Sequence, residues 1–343
     1  MSILQVAKHA GVSVATVSRA FNFPDKVQPL TRNKVEQAAK AVGYVPNASA
    51  RTLRTQRTHV LGIVLPTLIN PVFAECLEGI AQTAAASGYA ILPITTGYRL
   101  EEESRAVAQL LSGNVDGLIL VVSDPAHSTA LHTLVKSRLP YVLAYNRHAQ
   151  HPCVSVNGEQ AVADLVGRLA SLGHQRILMV TGQRSASDRA EQRCQGYLQA
   201  MRARKFKTQV LEVPFMGSAH DDVRKALQAT KRPSAVICSN DLLALRCMRA
   251  AHLVGLRVPA ELSIVGFDGI AVGQDISPTL SSIRQPSADI GRRAVELLLT
   301  SLRSGERLSS IHSLTLSHSF IEGESCGLAP LSVSQPLNLK EVS

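Results

Sequence analysis

Apolar positions recur along this chain in two different rhythms, and the change between them falls close to residue 60. In the first stretch the spacing is helical. Leu4, Val6, Ala7 and Ala10 predict the apolar side of a first helix, which Gly11 ends because glycine enters left-handed backbone at no steric cost. Ser13 is placed to cap a second helix whose inward side carries Val17, Ala20 and Phe21. A loop with Pro24 and Pro29 follows, and then a third helix that Thr31 can cap. Its buried stripe is Val35, Ala38, Ala39 and Val42, and Gly43 stops it. Residues 44–57 break this rhythm. Pro46 ends the preceding structure, and 47–53 predict two turns of helix, well short of the roughly 12 to 15 residues that an isolated helix needs in water. Such a segment folds only against something else.

From Val60 onward, short continuous apolar runs alternate with amphipathic helices. Strands are predicted at 60–65, 90–94, 116–122, 141–144 and 154–156, with helices at 72–87, 101–111 and 129–137 between them. A second half repeats the pattern: helices at 160–172, 189–202, 221–229 and 241–253, strands at 177–180, 209–213, 235–238 and 263–267. Two such runs predict two similar lobes, each built on a parallel sheet. Ligand sites in such sheets gather at the carboxyl ends of the strands, so two facing lobes imply a cleft. After Gln285-Pro286 the pattern gives a helix over 288–302 and a β-type segment over 313–320. Residues 328–343 hold two prolines and no leucine heptad, which predicts a loose tail rather than a coiled coil.

With 343 residues the chain is long enough for two or three domains, and no apolar run approaches the roughly 20 residues that span a bilayer. The opening Met1-Ser2-Ile3-Leu4-Gln5 has no signal-peptide character, so a cytoplasmic location and no membrane partner are expected. The six cysteines, Cys76, Cys153, Cys194, Cys238, Cys247 and Cys326, form no C-x-x-C pair, which predicts reduced, mostly buried thiols. His148, His151 and Cys153 lie close together but have no partner elsewhere, so neither a metal nor a cofactor is assigned.

Charge changes the picture by its placement. Residues 1–58 carry nine Lys and Arg against Asp25 and Glu36, which is +7 of the net +10. A basic excess concentrated in a sixth of the chain is the footprint of a phosphate-binding module. On the second helix Ala15, Ser18, Arg19 and Asn22 face outward, a set of small or hydrogen-bonding side chains with one fork-shaped cation, suited to a DNA groove. The N-terminal part therefore reads as a helix-turn-helix, against the alternative of an ordinary helical hairpin. No G-x-G-x-x-G follows the first strand and no G-x-S-x-G or Walker motif occurs, so no catalytic residues are assigned. A transport-type sugar-binding protein would share the two lobes but would need a signal peptide and lack the basic head.

Taken in order, Val6-Ala7, Gly11-Val12-Ser13, Thr16-Val17-Ser18-Arg19, Gly43-Tyr44-Val45-Pro46-Asn47, Ala50-Arg51-Thr52-Leu53, Val115-Asp116-Gly117, Leu172-Gly173-His174-Gln175-Arg176-Ile177, Asn240-Asp241, Val258-Pro259 and Ser263-Ile264-Val265-Gly266-Phe267-Asp268 resemble the lactose and galactose repressor family of bacterial transcription regulators. The resemblance implies an all-α helix-turn-helix head over 1–45, a hinge over 46–58 and a two-lobed α/β effector domain of the periplasmic-binding-protein type over 59–327. Lobe 1 would comprise 59–157 and 287–312, and lobe 2 158–286 and 313–327, with 328–343 as the tail. It further implies a homodimer on a palindromic double-stranded DNA operator. Val14, Ala15 and Arg19 match base-reading positions, and Ser13, Thr16, Ser18, Asn22, Lys26, Thr31 and Asn47 match positions on or beside phosphates. Ala50, Leu53 and Arg54 fall in the hinge helix, with Leu53 as the wedge in the minor groove. For the effector, Phe73, Asn146, Asn157, Arg193, Asn240 and Asp268 match the binding positions. Their chemistry suits a polyol, and Leu65-Pro66-Thr67-Leu68, Asn70, Val72-Phe73-Ala74-Glu75 and Gly97-Tyr98 most resemble gluconate-type repressors, so a sugar acid such as gluconate or a ketogluconate is expected ahead of a neutral sugar.

Overall fold

The computed structural model describes residues 2–44, 57–215 and 220–330. It divides into two compact units, Met1–His59 and Val60–Ser343. The hinge positions Asn47, Ala50, Leu53 and Arg54, and the tail from residue 331, lie outside the described residues.

The first unit is three helices, α1 (Ile3–Ala10), α2 (Val14–Asn22) and α3 (Pro29–Ala41). Val6 and Ala7 of α1, Val17 and Ala20 of α2, and Val35, Ala38 and Ala39 of α3 form one small core. Gly11 closes α1 at φ 63°, and the Ser13 hydroxyl caps α2 by accepting the Thr16 N–H at 3.1 Å. Two details differ from the expected pattern. Leu4 is exposed, and Ile3 packs against the core instead. Helix α3 begins at Pro29, so Thr31 lies inside its first turn and does not cap it. Proline suits that first position because the N–H it lacks would have no partner there.

The second unit contains two six-stranded sheets. In chain order it runs β1 (Val60–Leu65), α4 (Pro71–Ala86), β2 (Ala90–Thr95), α5 (Leu100–Ser112), β3 (Gly117–Leu120), α6 (Thr129–Ser137), β4 (Tyr141–Ala144) and β5 (Cys153–Val156). It then crosses to α7 (Gly158–Ser171), β6 (Ile177–Thr181), α8 (Asp188–Ala203), β7 (Val210–Glu212), α9 (His220–Leu227), β8 (Ala235–Cys238), α10 (Asp241–Leu253), β9 (Ser263–Asp268) and β10 (Ser281–Arg284). The chain returns with α11 (Ser287–Ser304) and β11 (Leu314–Leu316), and ends with β12 (Ser319–Ile321). Lobe 1 carries the order β11-β5-β4-β3-β1-β2 and lobe 2 the order β12-β10-β9-β8-β6-β7, parallel throughout except where β12 runs antiparallel to β10. The central strands are apolar on both faces because helices cover both, which is why they read as continuous apolar runs.

The segment expected as one β element over 313–320 is in fact two strands in different sheets. Leu314–Leu316 pairs with β5 and belongs to lobe 1, so the third crossing lies between residues 316 and 319 rather than at 312/313. Strand β10 escapes an apolar pattern because its buried Ser281 and Ser282 satisfy their hydroxyls internally, on the Gly323 carbonyl and the Asp241 carboxylate.

Lobe 1 rests on the packing of α11 against α4. The two backbones approach so closely that a Cβ on Gly79 would overlap the Ala288 carbonyl, and one on Gly291 the Cys76 carbonyl. Replacing Gly291 by Ala is therefore expected to lower the unfolding free energy of the effector unit by about 1 to 3 kcal/mol, read as a lower urea midpoint at unchanged slope.

Candidate functional sites: a DNA-reading helix and an interlobe cleft

On the first unit, α2 exposes Val14, Ala15 and Arg19, with Thr16 and Ser18 half-buried beside them. The Ser13 and Thr16 hydroxyls lie 2.9 Å apart at the amino end of α2, where free backbone N–H groups favour an anion. Lys26 is exposed, its ammonium 5.5 Å from the Phe23 ring centre, and Thr31 is half-buried in the first turn of α3. Asn22 is the last residue of α2. This face presents two small apolar contacts and one guanidinium fork, a combination able to touch thymine methyls and to bond guanine.

In the second unit the loops after β1, β2, β4 and β9 meet the amino end of α8. Phe73, Tyr98, Tyr145, Arg189, Arg193, Phe215, Asn240 and Asp268 line a closed cleft between the lobes with about 30 Å³ free. That is the space of about one water, so a larger ligand must part the lobes. Tyr98 of lobe 1 and Phe215 of lobe 2 stack face to face across it, ring centres 4.7 Å apart and planes 9° apart. Phe73 meets Tyr145 edge to face at 5.6 Å.

Asp268 is the acid of the cleft. It is held at φ 121°, a conformation that costs a non-glycine residue free energy, and such strain gathers at binding sites. It accepts from Gln285 Nε2 at 2.8 Å and from Asn70 Nδ2 at 3.2 Å, and Arg193 Nη1 lies 3.5 Å away. Burial raises its carboxyl above the usual range, against the opposing pull of Arg193. Arg193 donates to the Ser239 carbonyl, and its guanidinium carbon lies 3.6 Å from the Phe267 ring centre. Behind them Asp241, pushed up to about 7 by burial and by the charge of Asp268, accepts the Ser282 hydroxyl at 2.6 Å and the Ile270 N–H at 2.8 Å. Glycine at 266 leaves room for that carboxylate, which a Cβ would overlap.

A second set of polar contacts joins the lobes. The Asp188 N–H donates to the Ser123 carbonyl at 2.8 Å, and Arg189 Nη1 to the Val122 carbonyl at 2.8 Å. Asn146 Nδ2 reaches Asp188 Oδ1 at 2.7 Å. On the lobe 1 side, Glu103 Oε1 accepts both the N–H and the hydroxyl of Ser123, at 2.8 and 2.6 Å. Arg189 Nη2 and Glu103 Oε2 are buried with no hydrogen-bond partner among the described residues.

Four of the six expected effector residues, Phe73, Arg193, Asn240 and Asp268, line this cleft. Asn240 also caps α10 by accepting the Leu243 N–H at 2.8 Å. The other two do not line it. Asn146 is fully buried and spends its amide on Val122 and Asp188, so it ties the lobes together. Asn157 caps α7 and faces a separate cavity. Sequence reasoning missed Tyr145, Arg189, Phe215 and Gln285, and quoted Asn70 and Tyr98 for their family resemblance without placing them in the site. Only Arg189 carried a usable signal, one turn before Arg193 on the same face of a helix.

Residues 2–47 match the model of bacterial regulatory proteins of the lacI family, and residues 166–326 match that of the periplasmic binding protein-like domain. The transcriptional repressor CytR of Escherichia coli is 33% identical over 88% of this chain and 92% of its own length. Catabolite control protein A of Priestia megaterium is 33% identical over 87% and 91%. The chain belongs to the lacI family. A lac repressor dimer solved with operator and the anti-inducer ONPF superposes with a TM-score of 0.85 at 26% identity, covering 95% of this chain and 99% of that one. A CelR–cellobiose complex superposes at 0.68 with 27% identity. LacI-family proteins are DNA-binding regulators controlled by small molecules, not enzymes, and the head and the two-sheet effector unit match that organisation. Among the described residues no helix is long and apolar enough to cross a membrane.

Asp188 sets a pH signature on this lacI-family cleft. Burial pushes its carboxyl up to about 6 against the opposing pull of Arg189 and Asn146. A carboxyl raised above its unfolded value of 3.8 binds its proton more tightly in the folded state. Its stabilising contribution is complete below pH 4 and is lost as pH rises through 6. The stability advantage of the wild type over Asp188→Asn should therefore shrink by on the order of 3 kcal/mol between pH 4 and 7 in urea titrations, and a flat difference would remove Asp188 as the source.

Proposed function

We propose that the protein represses transcription in the cytoplasm as a homodimer on a palindromic operator in double-stranded DNA, and that a sugar or sugar acid in the interlobe cleft controls its affinity. The observation that carries this reading is the pairing of a basic helix-turn-helix with a closed cleft holding two arginines, an acid and aromatic walls. Val14 and Ala15 read thymine methyls and shape, and Arg19 bonds guanine. Ser13, Thr16, Ser18, Asn22, Lys26, Thr31 and Asn47 hold or flank phosphates. Leu53 wedges the minor groove from a hinge helix that includes Ala50 and Arg54 and folds on DNA. Effector binding shifts the lobe angle and thereby the pairing of the two hinges, a coupling of about 1 to 3 kcal/mol in typical cases.

Within that reading a sugar acid such as gluconate or a ketogluconate is preferred. Arg189 offers a buried donor, Nη2, with no partner among the described residues, matched to a carboxylate, and Asp268, Asn70 and Gln285 match hydroxyls. A neutral sugar is the second reading, favoured by the aromatic walls and by the cellobiose of the CelR complex. A thermal-shift screen with gluconate, 2-ketogluconate and neutral sugars separates the two. The sugar acids should raise the melting temperature, and Arg189→Ala should abolish that rise. A rise with neutral sugars alone overturns the acid.

DNA reading has its own test. In gel shifts Arg19→Ala should weaken operator binding by about 1 to 3 kcal/mol while changing random-sequence binding far less, and operator affinity should fall steeply with salt. No preference for a palindrome over random DNA would overturn the repressor reading.

A further inference from the structure

We propose that Tyr98 is a built-in plug: with the lobes closed, its ring lies on the face of Phe215 that the apolar face of a sugar ring would use, and an effector binds by displacing it. The inference rests on the reading that a small molecule occupies this cleft, and it concerns how that site is regulated.

Phe215 is fixed by its own lobe. Its carbonyl accepts Arg246 Nη1 at 3.0 Å, and its ring lies against the Gly182 backbone, where a Cβ would overlap three of its carbons. From the other lobe Tyr98 covers it, ring centres 4.7 Å apart and planes 9° apart. Tyr98 itself is held less firmly. It follows β2 on a turn in which Gly97 and Tyr98 both take left-handed backbone, φ 63° and 61°, a conformation that is free for glycine and strained for tyrosine. Its hydroxyl makes no hydrogen bond among the described residues. Burial pushes the phenol up to about 12, and the charges of Arg189, Asp268 and Arg193 act on it, which places the hydroxyl among the groups that line the cleft. The residue as a whole is only half-buried, so it has a short way out to water.

With about 30 Å³ free, the closed cleft has no room for a sugar ring beside the Tyr98 ring. Keeping both would hold Tyr98 and Phe215 apart by the thickness of the ligand. That spacing breaks the lobe contact, in which the Asp188 N–H meets the Ser123 carbonyl, Arg189 the Val122 carbonyl and Asn146 the Asp188 carboxylate at one lobe angle. Moving Tyr98 instead gives up one aromatic stack and no side-chain hydrogen bond, and it releases the strained backbone. The lobes can then close on the ligand with their own hydrogen bonds intact. Because plug and effector compete for one face of Phe215, apparent effector affinity is reduced by the fraction of time that Tyr98 covers it.

Calorimetric titration of the full chain with gluconate, 2-ketogluconate and cellobiose as probes tests this. A probe that binds the wild type should bind Tyr98→Ala about three- to tenfold more tightly, the worth of one stack, and Phe215→Ala more weakly. Equal or weaker binding to Tyr98→Ala would make Tyr98 a bystander or a wall of the site and would overturn the plug. A second arm needs no effector. 4-Methylphenol, the tyrosine side chain as a free molecule, should bind Tyr98→Ala with a dissociation constant below about 10 mM and should not bind the wild type or Tyr98→Ala/Phe215→Ala. Binding to the wild type as well, or to none of the three, would also overturn the proposal. Tyr98→Trp gives a reading that does not depend on the alanine variant folding, because the chain has no other tryptophan. Its emission should be shielded from acrylamide, and become exposed when Phe215→Ala removes its partner or when a probe binds. Shielding that neither change alters would refute displacement. Failure of all three sugar probes on every variant would sink the sugar reading of the cleft, leaving 4-methylphenol and the tryptophan to decide on the plug.

Discussion

The docking of the amino end of α8 onto the carboxyl end of β3 is the interaction on which the effector unit depends. Two backbone carbonyls of lobe 1, at Val122 and Ser123, receive an N–H and a guanidinium from lobe 2, and Asn146 closes the arrangement on Asp188. Apolar surfaces would let the lobes slide, but hydrogen bonds of this kind demand one angle. Glu103 adds stiffness from behind, since its carboxylate fixes both donors of Ser123 and so the direction of the carbonyl that Asp188 meets. The same helix end supplies Arg189 to the cleft, so closure and ligand recognition use one piece of backbone.

The cleft balances charge without saturating it. Asp268 faces Arg193, and Asp188 faces Arg189, with the Asp241 carboxyl pushed up to about 7 by burial and by the charge of Asp268. Arg189 still keeps one buried nitrogen with no acceptor among the described residues. A buried, unused charged donor is costly, and a ligand oxygen relieves that cost only when the lobes have closed around it. The strained Asp268 backbone ends β9, two residues beyond Gly266, against which the Asp241 carboxyl packs.

Much of this was legible in the sequence. Strands with both faces covered announce themselves as apolar runs, and Gly11 and Ser13 mark helix ends through local backbone chemistry, whereas Pro29 reads as loop and in the structure opens α3. What stayed hidden depends on partners far away in the chain. Strand β10 is polar yet buried because Asp241 and Gly323 satisfy it. Tyr98 and Phe215 meet only when two lobes close, and no local pattern joins residues 117 positions apart. Asn146 and Asn157 are expected in the effector site from the family resemblance, but in the structure one lies in the lobe contact and the other caps a helix. An amide that can bond a sugar can equally bond backbone, and the residue type alone does not distinguish them.

The chain passes between the lobes three times, after β5, after β10 and after β11, so neither lobe is a continuous piece of sequence. Lobe 1 is incomplete until α11 and β11 have been made, because α11 fills the face of the sheet that α4 begins to cover. A nascent chain that has emerged as far as residue 286 therefore lacks the α11 side chains of the lobe 1 core, while lobe 2 still lacks its edge strand β12. Synthesis must reach the last described strand before either lobe can close on itself, which makes this unit fold late and all at once rather than lobe by lobe.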